Sequence, residues 1–295
     1  MTRIIDAHQH FWRMGEQELP WLKQSHAALV RDFQPEDLEL ELRCASVDAT
    51  VLMQSADEPA ENLRLAAYAS SPRVAGVVAW LPLRDPEGAR RQLDALHIDK
   101  LVGVRCLIST DPLRWLAEPA VVRLFGDLAE RGLAWDVVPI TQQQTEAVIG
   151  LARAVPDLRI VIDHLGRPPL ESGQWEPWAT LLGLLSTCEN VAVKVSVGID
   201  ALTAWSEWGA TTLEKYVRFV AEQFGAKRLM IASNWPVVLL RASYATAWGD
   251  LKELLYRVFE DEGDRSAVFG GTAELWYRLA ALDDPTREVT ADLPQ

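Results

Sequence analysis

The sequence predicts an α/β fold of the (β/α)8 barrel class, and three observations carry that expectation. Eight short apolar runs recur along the chain, amphipathic segments of helical period separate them, and 295 residues is a length at which such a barrel closes as one undivided domain. Runs that are apolar nearly throughout, rather than alternating, indicate parallel strands covered on the outside by helices. A doubly wound open sheet is the competing architecture. It usually needs a Gly-rich first turn, whereas the first turn here is His8-Gln9-His10.

The elements justify this reading in order. The opening run is 4–12, Ile-Ile-Asp-Ala-His-Gln-His-Phe-Trp, and further strands are expected at 49–53, 74–80, 101–105, 133–138, 158–163, 191–195 and 228–232. Helical stretches include 60–70, 86–96, 120–132, 142–154, 175–188 and 213–224. An irregular loop at about 13–34 follows the first strand, carries Trp21 and His26, and is placed to fold over the barrel mouth. Pro-containing loops at 111–119 and 166–174 follow the fourth and sixth strands. With no repeat or linker evident, residues 1–295 read as a single domain whose polar tail, from about 283, packs loosely.

A formal net charge of -13 without a dense Lys/Arg cluster argues against nucleic acid or an anionic membrane as the partner. A small molecule fits better, and homo-oligomer formation is left open. No early cationic segment leads into an apolar stretch, and no uninterrupted 18-residue apolar run appears, so a cytoplasmic protein is expected. Cys44, Cys106 and Cys188 are widely spaced, which suits reduced thiols rather than a disulfide scaffold or zinc cluster.

Barrel active sites are built from the carboxyl ends of the strands. Those ends carry His8 and His10, Gln54, Arg105, Asp136, His164, Lys194 with Ser196, and Asn234. Three of the five histidines fall there. Spaced two apart, His8 and His10 project to one side of an extended strand, which suits metal ligation or a pair of donors aimed at a carbonyl oxygen. Arg105 and Lys194 end or interrupt apolar strands and need polar partners at a cavity. Asp136 is expected to pair with one of these cations before any catalytic role.

Read together, the motifs resemble the amidohydrolase-related sugar-lactone hydrolases, the family of L-fuconolactonase and L-rhamnonolactonase. The matching residues are Asp6-Ala7-His8-Gln9-His10-Phe11-Trp12, Gln54-Ser55-Ala56 with Glu61-Asn62, Gly103-Val104-Arg105, Asp163-His164-Leu165-Gly166, Asn190-Val191 with Val193-Lys194-Val195-Ser196, and Ser233-Asn234-Trp235-Pro236, continuing to Trp276-Tyr277. The resemblance implies a barrel that opens a lactone with water at a site formed by His8, His10, Arg105, His164 and position 234. Lys194, Asp136, Trp12, Trp21 and Trp235 are then the candidates for holding the hydroxylated ring. One departure touches the chemistry: the family carries Asp where this chain has Asn234, and a carboxamide positions water without accepting its proton. The pattern reads as an Asp-to-Asn inactivated variant, the alternative being a chain that lacks the usual base. Smaller departures are Val197 before Gly198, and Gly271-Thr272-Ala273 where Gly-Asn-Ala is usual. No cofactor is required on this reading, and any divalent ion (zinc) on His8, His10 and His164 binds weakly because position 234 supplies no anionic ligand. The rivals are a decarboxylase on the same scaffold and a non-catalytic sugar-acid binding protein.

Overall fold

The computed structural model describes residues 3–23 and 25–280; the expected loose tail from 283 lies outside them. Eight strands, β1 (Ile5–Gln9), β2 (Ala49–Met53), β3 (Val74–Trp80), β4 (Leu101–Arg105), β5 (Ala134–Val137), β6 (Ile160–Ile162), β7 (Val191–Val195) and β8 (Leu229–Ile231), form one sheet in sequence order. Every neighbouring pair is parallel. The ring closes just past the ends of β1 and β8, where the Asn234 amide donates to the His8 carbonyl at 3.0 Å and the His10 amide to the Trp235 carbonyl at 2.8 Å. This is the (β/α)8 barrel that the alternating apolar runs predict.

The helices between the strands start where their sequences say they should. Pro35, Pro59, Pro86 and Pro119 open α1 (Pro35–Cys44), α2 (Pro59–Tyr68), α3 (Pro86–Ala95) and α4 (Pro119–Glu130), positions at which a missing amide hydrogen costs nothing. Thr141 and Gln144 exchange hydrogen bonds in a capping box that starts α5 (Gln142–Ala154). Beyond these come α6 (Trp178–Ser186), α7 (Ile199–Ala204), α8 (Ala210–Phe224), α9 (Tyr244–Val258), α10 (Glu262–Ser266) and α11 (Thr272–Tyr277).

Two apolar layers result. Outward strand residues pack against the helices around the ring. Inside the barrel, small and branched residues such as Ala7, Ala49, Val78, Ala134, Val161 and Ala192 fill the lower half, and Trp276 and Tyr277 of α11 pack with them. The glycine of Gly103-Val104-Arg105 is required by this tight ring: a Cβ there would stand 2.9 Å from the Ala134 carbonyl oxygen of the adjoining strand.

The long loop after β1 is pinned down. Trp12 and Phe33 exchange backbone hydrogen bonds at 3.0 and 2.9 Å, and their rings lie 5.1 Å apart in an edge-to-face contact. No helix among the described residues is long and apolar enough to cross a membrane.

Candidate active site

The two histidines of β1 reach the barrel axis through an irregularity in the strand. Asp6 pairs with Thr50 and Gln9 with Leu52, so β1 advances three residues while β2 advances two. The extra residue is a bulge. Before it, Ile5 and Ala7 face inward; after it, parity has switched, so His8 and His10 face inward while Asp6 and Gln9 turn out. Asp6 secures the distortion from outside, accepting from the amides of His8 at 3.2 Å and Ser233 at 2.9 Å and from the Tyr244 hydroxyl at 3.2 Å.

The Met53 carbonyl fixes the tautomer of His10, and that of His8 is assigned from its shortest contact. His10 Nδ1 lies 3.1 Å from the Met53 carbonyl oxygen, which only accepts, so Nδ1 carries the hydrogen and Nε2 is bare. His8 Nε2, 3.0 Å from His10 Nε2, therefore donates to it. That leaves His8 Nδ1 as an acceptor for Lys194 Nζ at 3.1 Å. This tautomer sets a bare His8 Nδ1 against Asp163 Oδ1 at 3.2 Å and the Nε2 hydrogen against Arg105 Nη1 at 3.4 Å; the opposite one would set two lone pairs face to face at the shorter 3.0 Å and a hydrogen against an ammonium at 3.1 Å. Burial keeps all three imidazoles neutral, pushing His10 down to about 3 and His8 and His164 well below their usual value.

Under His8 lies a sealed ionic layer. The three N–H donors of Lys194 face Asp136 Oδ2 at 2.7 Å, Asp163 Oδ1 at 3.0 Å and His8 Nδ1 at 3.1 Å, with Met53 Sδ at 3.4 Å. Tyr277 donates its hydroxyl to the same Asp136 oxygen at 2.5 Å. Burial pushes the Asp136 carboxyl up to about 6 against the pull of Lys194. For Asp163, burial acts upward too, but Lys194 and then Arg105 outweigh it and hold the carboxyl well below its ordinary value. The Arg105 guanidinium completes the layer from above, 3.3 Å from Asp163 Oδ2 and 3.4 Å from His8 Nε2.

His164 and Asn234 arrive on left-handed backbone, with φ of 54° and 58°. His164 Nδ1 pairs with the Ser196 hydroxyl at 2.8 Å, leaving Nε2 uncommitted. Asn234 Nδ2 donates to the Val197 carbonyl at 2.8 Å, which leaves its Oδ1 as the free end.

These side chains surround an inner chamber of about 100 Å³ lined by His10, Gln54, Arg105, His164 and Asn234. A second chamber of about 610 Å³ opens above it, and Trp21, Arg105, Leu107, Arg167 and Ile199 line both. The two are one cleft at the carboxyl end of the barrel.

The expected catalytic set of His8, His10, Arg105, His164 and Asn234 thus converges, with His8 as a layer beneath the cavity rather than on its wall. Of the residues expected to hold a ring, Trp21 lines both chambers and donates Nε1 to the Ser55 carbonyl at 2.9 Å. Four others require correction. Lys194 and Asp136 have no solvent exposure and are spent on each other and on His8. Trp12 and Trp235 are buried at 0% and 2% exposure, both packed edge to face on Phe33 under the long loop, so neither reaches the cleft. Sequence reasoning missed Asp163 as a site residue, although it stands two residues after inward-facing Val161 and next to His164. It also missed Arg167, three residues beyond His164 and on the wall of both chambers.

Two thiol or metal readings of the cleft are constrained by its charges. Burial pushes the Cys106 thiol up to about 12, which removes it as a nucleophile. For a metal, ligand atoms of His8, Asp163 and His164 all lie within 4.8 Å of one another, a cluster built around Asp163 rather than the His8, His10 and His164 set expected.

Residues 5–279 match the family model described as Amidohydrolase. An L-fucono-1,5-lactonase of Burkholderia ambifaria is 34% identical over 289 residues, covering 95% of this chain and 97% of that protein. A second L-fucono-1,5-lactonase, from Burkholderia multivorans, is 31% identical over 93% of this chain and 96% of its own length. Among solved structures, an amidohydrolase from Burkholderia multivorans with bound zinc superposes with a TM-score of 0.84 at 28% identity, over 94% of this chain and all of that one. A family match that spans nearly the whole barrel, together with relatives above 30% identity that align end to end, places this chain in the amidohydrolase family.

Proposed function

We propose that the protein hydrolyses the lactone ring of a sugar acid, of the L-fucono- or L-rhamnono-lactone type. The observation that carries this reading is the convergence of Arg105, His164 and Asn234 around one small chamber that offers donors and a water-holding amide but no activated nucleophile. The two L-fucono-1,5-lactonases that align along the whole chain support the same class of substrate.

Water attacks the lactone carbonyl carbon, the acyl bond to the ring oxygen breaks, and the water's proton passes to that oxygen as it leaves. The product is an open-chain hydroxy acid. Arg105 meets the oxyanion that forms at the carbonyl, and Ser196, donating to His164 Nδ1, leaves His164 Nε2–H as the second donor. His8 and His10 spend their hydrogens on each other and on Met53, so they act by fixing the position of the layer. Asn234 Oδ1 accepts one hydrogen of the attacking water. An amide does not take the proton, and turnover by this chain is correspondingly slow, as for an Asp-to-Asn variant at the base position.

The residues do not fit a tightly held divalent ion. His8 is bracketed by two fixed cations, Lys194 at 3.1 Å and Arg105 at 3.4 Å, and the charges of Asp136 and Asp163 are already balanced by them. Position 234 adds no negative charge. A related structure holds zinc, which makes the metal a direct object of the test.

Chelator-treated protein is assayed on L-fucono-1,5-lactone by acid release, and for carbon dioxide on hydroxybenzoates. Ring opening without restored zinc is the expected result. Carbon dioxide release would assign the decarboxylase chemistry instead, and activity that returns only with stoichiometric zinc would overturn the metal-free mechanism.

A further inference from the structure

The throat between the two chambers carries a pair of opposite charges that the hydrolytic layer does not use. Arg167 follows the left-handed turn of His164 and Leu165 and is itself at φ 53°. Its Nη1 meets Asp200 Oδ2, in the first turn of α7, at 2.5 Å. Arg167 lines the inner and outer chambers alike, and Asp200 lines the outer one. The Nε of the same guanidinium is buried and has no hydrogen-bond partner among the described residues. Asp200 is the exposed member and the arginine the half-buried one, so the pair is held from the barrel side and presented to the cleft.

The class of ligand emerges from comparing what each candidate would meet. An apolar substituent would strip water from an ion pair and return nothing, a net loss. An anionic substituent would find Arg167, but also the Asp200 carboxylate 2.5 Å from that guanidinium, and would have to displace or face it. A hydroxyl both donates and accepts. Adjacent hydroxyls can accept from the guanidinium and donate to the carboxylate while the ion pair stays intact. The rest of the outer chamber agrees with a fragment of mixed character, since apolar Ile108, Val138 and Ile140 and polar Ser109, Thr203 and Lys23 all line it.

We propose that the Arg167–Asp200 pair is the specificity device of the cleft, recognising neighbouring hydroxyls on the part of the substrate that projects from the lactone ring into the outer chamber. This rests on the lactone-hydrolase reading and names the residues by which that site tells a polyhydroxylated lactone from a plain one. Arg105 and His164 hold the carbonyl in the inner chamber, and the pair reads the substituents beyond it.

The test compares L-fucono-1,5-lactone with the unsubstituted six-membered lactone δ-valerolactone. Turnover is followed in the Asn234→Asp protein and binding, by calorimetry, in the chain as it stands. Arg167→Met keeps the length of the side chain and removes its donors; Arg167→Lys and Asp200→Ala are run in parallel in case the first does not fold. The ratio of kcat/KM for the hydroxylated over the plain lactone should fall by about 10- to 100-fold, the scale of a lost hydrogen bond to a charged group, with the change mostly in KM. Binding of the sugar lactone should weaken in step. Equal losses on both lactones would show a merely structural role and overturn the proposal, as would an unchanged ratio. If no lactone turns over but sugar-lactone binding still weakens in the variants, the recognition role stands and the hydrolase reading falls; if no variant alters binding, the recognition role falls.

Discussion

Replacing Asn234 by Asp puts a proton acceptor where the proposed mechanism holds the attacking water and disturbs one interaction visible in the structure. The present amide donates Nδ2 to the Val197 carbonyl at 2.8 Å. A carboxylate presents two acceptors, so one oxygen would confront that carbonyl, and the lost bond costs about 1 kcal/mol of stability. The side chain is expected to turn its charge into the chamber, where burial and the nearby carbonyl raise its pKa while Arg105 and Arg167, on the same chamber wall, lower it. Two consequences are measurable. kcat on a sugar-acid lactone should rise by about 10²- to 10⁴-fold, the usual size of general-base assistance, while the affinity of the lactone changes little. The rate should also climb with pH through the carboxyl titration, because only the ionised form takes the water's proton. kcat is followed by acid release across pH 3 to pH 8, and affinity by calorimetry. A kcat within a few-fold of the starting chain, on a lactone that demonstrably binds, would refute the assignment of position 234. So would a rate flat across the acid range.

The same geometry has other consequences. In the Asn234→Asp protein, Arg105→Met removes the charged donor from the oxyanion and should lower kcat by about 10²- to 10³-fold; retention within threefold would move the oxyanion elsewhere. Asp6 is pushed up to about 6 by burial, so the folded protein holds that proton more tightly than the unfolded chain and is destabilised as pH rises between about 4 and 6. Asp6→Asn cannot ionise, so its stability relative to the starting protein should improve by about 2 kcal/mol between pH 4 and pH 7, read from urea unfolding; no change in that difference would sink the burial argument.

How much of this is legible in the sequence depends on whether a residue's position or its partners set its role. The barrel is legible because parallel strands buried on both faces must be apolar throughout, and eight such runs stand out. The converging histidines are legible because they lie at strand ends. Apolar pattern alone overextends four of those ends, β1, β5, β6 and β8; β6 stops at Ile162 and β8 at Ile231 because the chain turns into left-handed site backbone at His164 and Asn234. The bulge that aims His8 inward leaves no glycine or other local mark, and only the pairing of Asp6 and Gln9 with β2 reveals it. Trp12 lies two residues after inward-facing His10 and Trp235 one after Asn234, yet the chain has left its strand at both positions and the two rings pack on Phe33 instead. The need of Lys194 and Asp136 for partners is legible from their apolar neighbours. Their mutual pairing, which takes them out of the cleft, depends on depth along the barrel axis, and a lone sequence carries no such coordinate.

That buried pairing has a bearing on how a base and a metal would compete at position 234. With Asn there, the two carboxylates of the layer are matched by Lys194 and Arg105, and neither a proton nor a cation finds an unbalanced negative charge. Asp at 234 introduces one. The same substitution that supplies a base also supplies an anionic ligand beside His164, so it strengthens the attraction for a divalent ion while raising the carboxyl's own affinity for a proton. A gain in turnover therefore assigns the base only if it survives a chelator. If it does not, the carboxylate has acted by holding a metal, and the cations that bracket His8 must have yielded room for it.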